Sequence, residues 1–70
     1  MNKAAAEYII FMINAISDNY HQPPSVVYQK LRDSGMLKIL ASSYDIWHTI
    51  STPAAIEDIR AFQAREGLPL

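Results

Sequence analysis

The segment KAAAEYIIFMINAISDN, residues 3–19, decides the fold class of this chain. Its apolar residues do not simply cluster. Ala5, Ile9, Met12, Ile13 and Ile16, with Tyr20 just beyond, recur at steps of three and four, which places them on one broad stripe of an α-helix. Lys3, Glu7, Asn14, Ser17 and Asp18 fall on the opposite side. A helix from Lys3 to Asn19 with one apolar face requires a partner layer, and the rest of the chain must supply it. Two residues do not fit the stripe. Ile10 falls in the middle of the polar arc and Phe11 at its edge. One exposed isoleucine is ordinary, but two large apolar side chains off the core face read either as packing against another part of the same small domain or as a candidate contact surface.

The remaining segments also read as helices. His21-Gln22-Pro23-Pro24 ends the first one, since proline has no amide to donate and its predecessor avoids the helical region. Ser25 is the expected cap of a second helix, Val26 to about Asp33, with Val27, Tyr28 and Leu31 facing inward. Ser34-Gly35 is its expected stop, because glycine takes the left-handed conformation of a C-terminal cap at little cost. A third helix is expected from Met36 to about Ser43, burying Leu37, Leu40 and Ala41 with Met36 as lead-in. Thr52-Pro53 reads as cap and first position of a last helix. Glu57 and Asp58 early and Arg65 late suit its dipole. Ala55, Ile56, Ile59 and Phe62 face the core, and Gly67 and Pro69 close the helix. The expected fold is an all-α, compact bundle of about four short helices, forming one small helical domain over residues 1–70.

Composition narrows the function classes. The chain of 70 residues contains no cysteine, which removes disulfides and thiolate metal sites. A domain this small then needs regular packing or a partner for its stability. Half of the residues are hydrophobic, too many for a disordered chain. The net charge is −1 with the six basic residues scattered, which provides no footprint for nucleic acid. The apolar run Ala4–Ile16 is interrupted by Glu7 and Asn14, has no small-residue cleavage site after it, and is too short to span a bilayer. The expectation is a cytoplasmic protein without membrane contact.

Between the third and last helices lies SSYDIWHTIS, residues 42–51, which carries the only tryptophan and one of two histidines. Asp45 and His48, three residues apart, could share a hydrogen bond that orients the imidazole. A catalytic reading fails for want of an oxyanion hole, a pocket and a nucleophile setting. His21 and His48 have no ligand spacing for a metal, and His21 reads as a solvated loop residue. No catalytic residue, cofactor or metal is expected. The stretch reads as a corner, with Asp45 fixing the turn and Trp47 anchoring the joint of the third and last helices. Tyr44 and His48, amphipathic side chains with polar tips, suit either a core corner or an interface centre.

The pattern Glu7–Ile13, then Tyr28-x-x-Leu31 before Gly35, then Tyr44-Asp45-x-Trp47-His48-Thr49, then Glu57-Asp58-Ile59 and Phe62 resembles a family of small bacterial all-helical proteins catalogued only as a domain of unknown function. Its most specific element is the tyrosine–aspartate–x–x–histidine–threonine run. The pair Pro23-Pro24 is richer in proline than that family's pattern. The resemblance implies genes that often neighbour those of ADP-ribosyltransferase-like proteins. By association it implies a small antitoxin-like partner that binds and restrains a toxin-like enzyme. The expected function is thus a non-enzymatic protein–protein interaction module, with Ile10, Phe11, Tyr44, Trp47 and His48 as the partner-binding set. A helix-turn-helix-like DNA-binding regulator, built on Ser25–Ser43, and a self-associating structural domain remain as alternatives. The first is weak because MLKILASS offers a single lysine.

Overall fold

A computed structural model describes residues 2–70; of the expected domain, Met1 alone lies outside the described residues. The first helix, α1, runs Lys3–Tyr20. Asn2 caps it, its Oδ1 accepting from the Ala5 amide at 2.7 Å, which satisfies one donor that every helix start leaves free. Ala5, Ile9, Met12 and Ile16 are buried, and Ile13 and Tyr20 pack against that core. The expected stripe is therefore the core face.

The helix stops before the prolines are reached. His21 adopts φ 54°, and the Gln22 amide donates to the Ser17 carbonyl at 3.1 Å. This is a left-handed C-terminal cap, a position that favours glycine. The prolines serve the next helix instead. Pro24 is the first residue of α2, Pro24–Ser34, where a missing amide costs nothing. The expected Ser25 cap is thereby corrected: Ser25 lies inside the first turn, and Pro23 stands at the cap with no side-chain bond. Val27 and Leu31 are fully buried. Tyr28 is not the inward residue that was expected. It is 45% exposed, because it stands about 100° around the helix from Val27, and the Arg32 guanidinium lies 5.8 Å from its ring centroid.

Gly35 alone separates α2 from α3, Met36–Ser42. At φ 88° it takes the conformation expected of it. The tight link carries α3 straight back over the core, so Met36 is buried with Leu40 rather than serving as a lead-in. Leu37 and Ala41 are half-buried and pack against them. One turn of helix follows, α4, Tyr44–Trp47, and then α5, Thr52–Arg65. Ser51 holds the cap position expected of Thr52, which puts Pro53 second in the helix, still among the positions whose amides have no partner. The four expected helices are those of seven or more residues, α4 is the fifth, and there is no strand among the described residues. Helices α1, α2 and α3 touch one another pairwise, α5 packs on all three, and α4 sits against α3.

Helix α5 buries Ala55 and Ile59, with Ile56 and Phe62 packed beside them. It also buries Gln63, the one polar residue fully enclosed among the described residues. Its Nε2 donates to the Lys30 carbonyl and to the Leu68 carbonyl, both at 3.1 Å. Its Oε1 accepts from the Ser34 hydroxyl at 2.5 Å. Two carbonyls can only accept and the hydroxyl can donate, so this orientation of the amide is the one that satisfies every group. Beyond it, Gly67 at φ 75°, the Leu68 amide on the Gln63 carbonyl and the Gly67 amide on the Ala64 carbonyl form a two-bond Schellman cap. The surface ion pairs Lys3–Glu7, Arg32–Asp33 and Arg60–Glu57 are all well exposed and add little.

Two stability measurements check this account. His21→Gly relieves a left-handed non-glycine residue and should raise unfolding free energy by about 0.5–1 kcal/mol, after the extra freedom of the unfolded glycine chain is counted. Gln63→Leu keeps the volume but removes the side-chain donor to the Lys30 and Leu68 carbonyls and leaves the Ser34 hydroxyl the Leu31 carbonyl at 3.1 Å. It should cost about 2–3 kcal/mol, read as a lower urea midpoint at unchanged slope.

Candidate protein-interaction site

The corner is built by the backbone. Ser43 ends α3, and its carbonyl accepts from the Ile46 and Trp47 amides at 3.0 Å each, which starts the single turn of α4. The Thr49 hydroxyl then donates to the Ile46 carbonyl at 2.6 Å. His48 Nδ1 lies 2.8 Å from the Tyr44 carbonyl. A carbonyl can only accept, so Nδ1 carries the proton. The role expected of Asp45 therefore falls to other groups. Asp45 is exposed in the first turn of α4, and the imidazole is oriented by the main chain of Tyr44.

That turn presents its side chains in two directions. Trp47 is half-buried, packs against the core and lines a cleft of about 290 Å³ with Met36, Ile39, Ala61 and Phe62, flanked by Asp58 and Arg65. Tyr44 points to α1, where its ring meets that of Tyr8 edge to face, centroids 5.6 Å apart. His48 stacks on the other face of this group, 4.6 Å from the Tyr44 ring at an interplanar angle of 19°. Tyr8, Tyr44 and His48 are thus a continuous aromatic ladder running from α1 across α4. The Tyr8 hydroxyl donates to the Trp47 carbonyl at 3.3 Å, tying the corner to the first helix. Offset and edge contacts of this kind hold rings in fixed positions at a cost already met by folding.

Phe11 is 54% exposed and lies one turn along α1 from Tyr8, on the same flank. Ile10, 59% exposed, lies about 160° around the helix from Tyr8, so it does not share this face. Of the five residues expected at an interface, Tyr44 and His48 stand together, Phe11 lies on the Tyr8 side of α1, Trp47 packs inward, and Ile10 stands apart. Two residues were missed. Tyr8 sits at the margin of the α1 core stripe, one turn before Met12, and that marginal position was its signal. Ile46, 62% exposed, is the apolar residue of YDIW that neither ring contact nor core uses; nothing in its sequence setting marked it.

Burial, and secondarily the neighbouring Tyr44, raise the Tyr8 phenol above its ordinary value. No group of three or more histidine, aspartate or glutamate side chains among the described residues is placed to hold a metal ion. No helix among them is long and apolar enough to cross a membrane. A second cleft, of about 300 Å³, lies where the end of α1 meets the start of α5, at Tyr20 and Pro53.

The family described as Protein of unknown function (DUF3791) matches residues 7–64. The chain belongs to the DUF3791 family. That segment of the DUF3791 chain holds both halves of the aromatic ladder, Tyr8 on α1 and the whole of α4. It leaves the residues after Ala64 outside. No curated protein and no solved structure is significantly similar to the chain.

The raised Tyr8 value has a direction in stability. The folded chain keeps a proton that the unfolded chain releases near pH 10.0, so stability is whole below that pH and falls as pH rises beyond it. Tyr8→Phe should cost about 1 kcal/mol at neutral pH through the lost hydrogen bond and should flatten the alkaline decline. Denaturant melts at pH 7 and above pH 10, followed by Trp47 fluorescence, read both effects.

Proposed function

We propose that this chain is a non-enzymatic protein–protein interaction module, an antitoxin-like partner that binds and restrains a toxin-like enzyme encoded nearby. The observation that carries the reading is the aromatic ladder of Tyr8, Tyr44 and His48, with Phe11 exposed on the Tyr8 side of α1. Rigid aromatic rings with polar tips supply large contact area for little further loss of freedom, and such residues concentrate at the energetic centres of interfaces. The face is already ordered before any partner arrives, so binding does not have to order it. The partner class rests on the family resemblance, with its neighbouring ADP-ribosyltransferase-like proteins.

The test is direct binding between this chain and the enzyme encoded beside it, by calorimetry with purified proteins and by inhibition of that enzyme. Phe11→Asp and His48→Asp should each weaken the complex about 30-fold or more while leaving the helical circular dichroism unchanged. Ile10→Asp, on the other flank, should leave affinity within about twofold. Absence of a complex, or equal affinity for the Phe11 and Ile10 variants, overturns the reading. Binding to DNA that weakens steeply with salt would replace it with the regulator reading built on α2 and α3.

A further inference from the structure

Residues Leu68–Leu70 are tied to the bundle, although Pro69 is exposed. Gln63, fully buried, donates to the Leu68 carbonyl at 3.1 Å. The Lys30 ammonium donates to the Pro69 carbonyl at 2.8 Å. Leu70 packs against the core cluster. Two successive main-chain carbonyls are therefore captured by side-chain donors from two helices, and the apolar residue next to them packs against the core. This is how a groove reads a peptide: main-chain bonds give the grip, and a side-chain pocket gives the choice.

The donors do not depend on the tail for their placement. The Gln63 amide is also held by the Lys30 carbonyl and the Ser34 hydroxyl. The Lys30 ammonium is also held by Gln22 Oε1 at 3.1 Å. Lys30, Ser34 and Gln63 all lie within the segment that the DUF3791 family matches, whereas the tail lies outside it. We propose that Leu68–Leu70, beyond the capped end of α5, is a displaceable strap, and that the seat beneath it between α2 and α5 is a peptide site for an extended leucine–proline–leucine-type segment of a partner protein. Proline suits such a ligand because it stays extended and has no amide to leave unpaired. Trading tails between two copies of the chain is disfavoured. Only Glu66 and Gly67 separate α5 from the captured carbonyls, so exchange would force two α5 ends together. This site uses none of the aromatic ladder and stands or falls separately from the function proposed above.

The experiment frees the strap in the full chain with Leu68→Ser and Leu70→Ser together. It then titrates in an acetylated peptide of sequence EGLPL, following the Gln63 side-chain amide by NMR. The variant should keep its helical circular dichroism, its Gln63 signals should move, and the peptide should return them toward the wild-type positions. A scrambled peptide should not. Adding Lys30→Met should weaken the peptide about tenfold, through loss of a charge-assisted bond. In the wild-type chain the Leu68 amide should exchange with solvent about 100-fold faster than that of Ile59, because the strap opens without global unfolding. Loss of helix on freeing the strap, no return of the signals at millimolar peptide, or equal exchange of Leu68 and Ile59 each overturns the proposal. Concentration-dependent dimers of the wild-type chain that the two serines abolish would overturn it in favour of a second copy.

Discussion

Everything in this fold closes around one carboxamide. Gln63 lies in the interior of a chain that has no disulfide, and its three bonds reach α2 twice and the tail once. Apolar burial holds the helices together but tolerates sliding. An enclosed amide does not, because a slip of α5 by one residue would turn it away from its partners and leave the fully buried carboxamide unpaired. The hydrophobic residues supply the cohesion, and Gln63 selects which packed arrangement is the native one.

Around that lock, the short connections do the rest. Gly35 is the whole link between α2 and α3, which sends Met36 into the core instead of onto the surface. The α4 turn directs Trp47 inward and Tyr44 toward α1, with His48 stacked on Tyr44. The Tyr8 hydroxyl on the Trp47 carbonyl joins the two ends of this arrangement across 39 positions of sequence. The candidate interface is thus a by-product of how the corner is braced, which is why its rings are ordered in the free chain.

What could be read from the sequence followed from periodicity. The α1 stripe, the pair Val27 and Leu31, and the row Ala55, Ile56, Ile59 repeat at helical steps, and the structure buries or packs them accordingly. Tyr28 misled because a large aromatic beside two inward residues invites the same assignment, although its angle leaves it outside. The prolines misled because their two effects, stopping one helix and starting another, look alike in a string of letters. Gln63 was illegible by residue type, since glutamine reads as surface. Its spacing did carry the signal: it falls four positions after Ile59, on the buried stripe. The ladder needed the third dimension, because nothing local links Tyr8 to Tyr44.

The order of the contacts along the chain bears on how the protein is made. Helices α1, α2 and α3 pack against one another, so the contacts among them become available as soon as residues up to Ser42 have left the ribosome. Such near-neighbour contacts form fast, and domains gather from the N-terminal side during synthesis. Lys30 and Ser34 would then be waiting, already in place, when Gln63 is synthesised. Helix α5 arrives as a keystone: the nascent chain can be collapsed before it, but becomes unique only with it.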